Sequence, residues 1–192
     1  MMGRVMAMLR KLGDFRAAQA GVAAVEFALI LPIMLAVYLG AIEASLLITT
    51  DRKVQSVAAS VGDLVARSDK TLSATQMRDY FQASKGIMMP YPSEDILQVI
   101  TAVNVDDDGV ARVAWSRQFK GTDYSDITPH DENSVFPLPD EMIAISKGQM
   151  VIAAETSYAY PPKFGLFFTQ PINLYRSSFY LPRFGGTISA PS

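Results

Sequence analysis

The chain has 192 residues, 49% of them hydrophobic, with 17 basic and 19 acidic side chains, one histidine and no cysteine. That length suits one membrane span plus one domain, and the missing cysteines exclude disulfides, cysteine-ligated zinc, thiol nucleophiles and iron–sulfur clusters. Charge is unevenly placed: Arg4, Arg10, Lys11 and Arg16 face only Asp14 before Gly21, whereas from Asp51 onward 16 acidic residues outnumber 13 basic ones.

Basic flanks stay in the cytoplasm, so the pattern predicts an N-terminus inside and residues 51–192 outside. The acidic outer part argues against nucleic acid as a partner. Residues 1–21 read as a basic cytoplasmic leader, 22–50 as a transmembrane helix and 51–192 as an extracytoplasmic α+β domain.

Gly21 opens an apolar run with one acid, Glu26, at its head; Phe27 to Ile42 carries no charge, and the apolar character resumes after Glu43. As a helix, Phe27 to Thr50 would extend about 36 Å, enough to cross a bilayer with some tilt. Pro32 falls inside it, which membrane helices tolerate. Ala36, Gly40 and Ala44 recur every four residues, a small-residue stripe that lets another helix approach. The run is longer than a signal-peptide apolar core, and Glu43 fits poorly in the A-x-A-like site Ala41–Ser45.

Charges at Asp51-Arg52-Lys53 mark the expected exit from the membrane. Beyond them Val54, Val57, Ala58, Val61, Leu64 and Val65 fall at helical spacing, so the helix continues as an amphipathic outer half with one buried face. Ser73 and Gln76 form a capping box before a second helix, 74–87, with Met77, Tyr80 and Phe81 inward. Residues 95–105 and 110–119 read as strands joined by an Asp106–Gly109 turn; its aspartates lack the spacing of a calcium loop. Residues 120–136 read as a polar loop, 141–146 as a short helix, and 149–160 and 171–181 as strands. Between the last two lies an aromatic connection with Phe164, Phe167 and Phe168, expected in the core. Gly185-Gly186 opens what reads as a loose tail. Paired neighbouring strands predict an antiparallel sheet, and the Val54–Val65 stripe is its obvious partner.

No phosphate loop, paired-carboxylate site or metal-ligand cluster is present, and no cofactor is expected. His130 has Ser125, Asp126, Asp131 and Ser134 nearby, but nothing arranges them for nucleophilic catalysis.

The basic leader, Gly21, Glu26 five residues on, Phe27 and a helix with Pro32 together resemble a type IV prepilin. The string Ala24-Val25-Glu26-Phe27-Ala28-Leu29-Ile30-Leu31-Pro32 is similar to the TadE-like pseudopilins of the tight-adherence (Flp, type IVc) branch, as are, more loosely, Tyr158 to Pro161 and Leu181-Pro182-Arg183. The resemblance implies a pilin-like, single-pass α+β fold in the bacterial inner membrane, and a minor subunit of a pilus or secretion machine. It also implies cleavage between Gly21 and Val22 by a membrane prepilin peptidase, assembly through Glu26, Phe27 and Pro32 with other pilins or pseudopilins, and no enzymatic activity. Ala20, rather than a base, precedes Gly21. From the residues alone a second reading stays open: an envelope binding module or enzyme held by an uncleaved signal anchor.

Overall fold

The structure, a computed structural model, describes residues 19–121, 123–125, 129–165 and 167–192; the leader proposed for 1–21 lies almost wholly outside them. A single helix, α1 (Gln19–Ala66, 48 residues), runs unbroken through Pro32. At 1.5 Å per residue it is about 72 Å long. Helix α2 (Ala74–Lys85) follows, with a one-turn 3₁₀ extension at Gly86–Met88. The capping box forms as expected: Gln76 N–H donates to Ser73 Oγ, and Ser73 N–H to Gln76 Oε1, each at 3.1 Å.

Five strands then build one antiparallel sheet: β1 (Leu97–Val105), β2 (Ala111–Lys120), β3 (Asp123–Ser125), β4 (Met150–Tyr160) and β5 (Ile172–Tyr180), in the order β3-β2-β1-β4-β5. A short helix, α3 (Asp140–Ser146), precedes β4. The architecture is the α+β arrangement expected, a long helix on a small antiparallel sheet. Strand β3 is an addition, sitting where a polar loop was expected.

The outer half of α1 lies on one sheet face. Val54, Val57, Ala58, Val61 and Val65 are fully buried, and only Leu64 of the expected stripe stays half-exposed. Gly62 marks the closest approach, because a Cβ there would sit 2.7 Å from the Tyr180 ring and 2.9 Å from Ala154 Cβ. This face holds one core around Phe81, Ile100, Trp115, Phe119 and Ile152, and a second around Val54, Val57, Tyr158 and Tyr160. The opposite face is covered by α3 and residues 136–138, over Val103, Val113 and Val151. Strands β1 and β4 are therefore covered on both faces over much of their length, which is why they read as apolar runs rather than clean alternation.

A register shift between β1 and β2 reconciles the two cores. Ala102 pairs with Trp115 and Val103 with Val113, so Ala114 is the extra residue of a bulge. In regular pleating residues 113 and 115 would share a face; the bulge sends Trp115 to the helix side and Val113 to the other.

The tail expected to be loose is docked. Ile188 is buried, its carbonyl accepts the Trp115 indole N–H at 2.7 Å, and Ser189 N–H donates to Lys70 O at 2.8 Å. Upstream of the tail, Arg183 N–H donates to Ala66 O, and its guanidinium pairs with Asp63, which also holds Arg67 at 2.6 Å.

Candidate functional site

The first half of α1 projects beyond the sheet. Val22, Val25, Phe27, Leu29, Ile30, Ile33, Met34, Val37 and Tyr38 are all exposed. The helix is long and apolar enough to cross a membrane, and none of its most apolar stretch is buried by the rest of the chain. A helix apolar all round and bare of protein is stable only where something other than water surrounds it.

The residues singled out by sequence lie along this projecting half. Gly21 is helical, and a Cβ built on it would meet nothing within 4 Å among the described residues. Val22 and Glu26 are one helical turn apart, on the same face. Glu26 is exposed and, among the described residues, has no hydrogen-bond or ion-pair partner. Phe27 and Pro32 are exposed beside it. Of the small-residue stripe, Ala36 is half-buried and Ala44 exposed, while Gly40 has a ring of its own chain on it: a Cβ at Gly40 would lie 2.6 Å from Phe167 Cε2.

Three residues on is a feature that the sequence spacing did not reveal. Glu43, inside the apolar helix, is buried at 3% exposure. Its Oε1 accepts the Tyr160 hydroxyl at 2.9 Å and Lys163 N–H at 2.8 Å, and its Oε2 accepts Phe164 N–H at 2.8 Å. A carboxylate can be held in an apolar setting when its lone pairs are met in this way. Burial, and after it the Glu43 carboxylate, push the Tyr160 phenol above its usual range, so it remains a protonated donor. The only clue in the sequence was an acid in an otherwise apolar helix.

Glu43 thus clasps α1 to the end of β4 and to the aromatic connection that follows it. That connection is not core: Phe164, Phe167 and Phe168 are exposed. The charges after Thr50 are also drawn into the outer domain. Lys53 Nζ donates to Ile87 O at 2.9 Å and Met89 O at 2.7 Å, and Asp51 pairs with Arg176 at 2.5 Å.

His130 proves better placed than expected, though not for catalysis. Its Nε2 lies 2.8 Å from Glu155 Oε2, its ring meets Phe136 edge-on at 5.1 Å, and the other Glu155 oxygen accepts the Tyr175 hydroxyl. Both carboxylate oxygens are therefore engaged. Burial first, then Glu155, push the Tyr175 phenol up, away from any nucleophilic form. Ser134 Oγ donates to the Asp131 backbone carbonyl, not to an imidazole. Asp126 lies outside the described residues, as does the Ser125 side chain. No group of His, Asp or Glu among the described residues could hold a metal ion.

Among the described residues, one helix is long and apolar enough to anchor the chain in a membrane, bare at its N-terminal half and covered by an antiparallel sheet at the other. The family model described as TadE-like protein matches residues 21–62. Over its helix the chain is similar to TadE-like proteins, and the match does not extend to the sheet. Neither a curated protein nor a solved structure matches the chain.

Proposed function

We propose that the chain is a minor pseudopilin of a tight-adherence (Flp-type) pilus or related secretion system, cut after Gly21 by a prepilin peptidase. Residues 1–21 are the cytoplasmic leader, the apolar part of α1 is the inner-membrane span, and the outer domain is periplasmic. Its partners are the peptidase, other pilins or pseudopilins and the bilayer.

The observation that carries this reading is the bare head of α1, with Glu26 lacking any partner among the described residues. A plain tether needs no carboxylate there, and on insertion scales an acid at a span's centre costs about 2.5–3.5 kcal/mol, less near an end. Cleavage after Gly21 supplies the missing partner. The new amine on Val22 lies one turn from Glu26, within its own subunit, or meets Glu26 of a neighbour, and pairing offsets the desolvation of both charges. Gly21 fits the same reading. The helix around it has room for a side chain, so the glycine answers to what handles the chain, and a protease cleft must admit extended backbone.

N-terminal sequencing and intact mass of the membrane-extracted protein test this. The expected mature chain begins at Val22, Gly21→Arg leaves an uncut precursor, and Glu26→Ala is cut but not assembled. A mature chain that begins elsewhere, for example near Ser45, overturns the processing reading.

A further inference from the structure

We infer that the β4–β5 connection is a foot seated in the outer interface of the bilayer that α1 crosses, with Phe164, Phe167 and Phe168 inserted among the lipid chains. The inference rests on the membrane-anchoring reading of α1 and goes beyond it.

Direction is the first argument. The hairpin's last pair is Tyr160 with Ile172, so the connection is residues 161–171. Glu43 holds its start by the N–H groups of Lys163 and Phe164, while Phe167 lies against Gly40. From Glu43 to Gly40 is about 4.5 Å down the helix axis. The loop therefore descends toward the bare apolar half of α1, and it is fixed at that height.

Chemistry is the second. The three phenylalanines are exposed, the segment 161–171 has no acidic residue, and Lys163 is its one charge. Lysine in such a place lays its stem on apolar surface and keeps its ammonium in the headgroups. Tyr38, exposed on α1 about 3 Å below Gly40 along the axis and on another face, is a typical interfacial residue.

Length is the third. Gly21 to Gly40 covers about 28 Å, close to the roughly 30 Å hydrocarbon thickness. With Gly21 at the inner boundary, the loop arrives at the outer one. The aromatic surface is then continuous with the lipid-facing surface of the helix, and lipid, not a second copy of the chain, is its occupant. Glu43, at the same height, is already satisfied by protein donors and can lie there without facing lipid.

Tryptophan reports the depth. The chain has one tryptophan, Trp115, buried in the core, which serves as an unquenched reference. Full-length Phe164→Trp and Phe168→Trp proteins, reconstituted in phosphatidylcholine vesicles, are compared with and without chain-brominated lipid. The expected result is that bromination removes about half or more of the added emission, with a blue-shifted maximum, as for aromatic side chains at a membrane interface, while wild type barely changes. Unquenched, red-shifted emission from both variants overturns the foot. Blue-shifted emission that stays unquenched at high protein and becomes quenched only as protein is diluted into excess lipid also overturns it, in favour of a second copy. Alkaline carbonate extraction separates the two claims: release of the wild type overturns the anchoring and the foot together, whereas retention with unquenched tryptophan overturns the foot alone.

Discussion

The Tyr160 hydroxyl donates to the Glu43 carboxylate across 117 residues of sequence, at 2.9 Å. The bond ties the end of the strongest strand to the helix at the level where the outer domain begins. Glu43→Ala strips acceptors from the phenol and from two backbone N–H groups, and unsatisfied buried donors cost more than a simple lost bond. We expect the β4–β5 connection to become protease-sensitive in detergent while the rest of the sheet resists. Tyr160→Phe, which removes one donor and leaves the loop's two N–H bonds in place, should produce a smaller change in the same limited digestion.

Two glycines in one helix should respond differently. A Cβ at Gly62 meets the Tyr180 ring and, less avoidably, Ala154 Cβ. Gly62→Val should therefore destabilise the outer domain by about 1–3 kcal/mol, the usual range for overpacking. A Cβ at Gly21 meets nothing within 4 Å among the described residues, and glycine in a helix interior costs up to about 1 kcal/mol relative to alanine. Gly21→Ala should leave the denaturant midpoint of the outer domain unchanged, whatever it does to cleavage.

The C-terminal segment should be a structural part of the domain. Ile188 is 2% exposed, its N–H lies 3.2 Å from Met150 Sδ, and its carbonyl takes the Trp115 indole. Ile188→Ala should cost about 2–4 kcal/mol, as for other large-to-small changes in cores. The same substitution should shift Trp115 fluorescence to the red as water reaches the indole.

Acid should loosen the exit of β5 from the helix. Burial raises the Asp63 pKa, but Arg67 and Arg183 together outweigh it and hold the carboxyl below its ordinary value. Its contribution is therefore full above the ordinary aspartate value, about 3.9, and is lost as pH falls through the lower folded value. Acid denaturation of the wild type should steepen in that window, and Asp63→Asn should remove this part of the slope while lowering stability at neutral pH.

Much of the fold was legible because it follows local rules. The Val54–Val65 stripe, the Ser73–Gln76 box and the Asp106–Gly109 turn are each decided within a few residues, and the structure keeps all three. What escaped depends on residues far apart. The donors to Glu43 lie 117 to 121 positions away, so no spacing could announce them. The bonds from Lys53 to the carbonyls of Ile87 and Met89 could not be foreseen, because those carbonyls carry no side-chain signature. Strand β3 has three residues, too few for a periodicity. The phenylalanines of the β4–β5 connection suggested core by composition, and only the path of the loop shows them facing out. At Gly21 and Glu26 the proposed site rests on a short motif, whereas Glu43 was hidden because only folding assembles its partners.

The clasp at Glu43, the close seat at Gly62 and the Asp63–Arg183 pair fasten one helix to one sheet over about 30 Å. These attachments lie along the helix axis, not at one end of it. A pull on the membrane end of α1 therefore loads them together, in shear, and cannot peel them one at a time. A chain pulled by its helix would take its sheet with it as a single body.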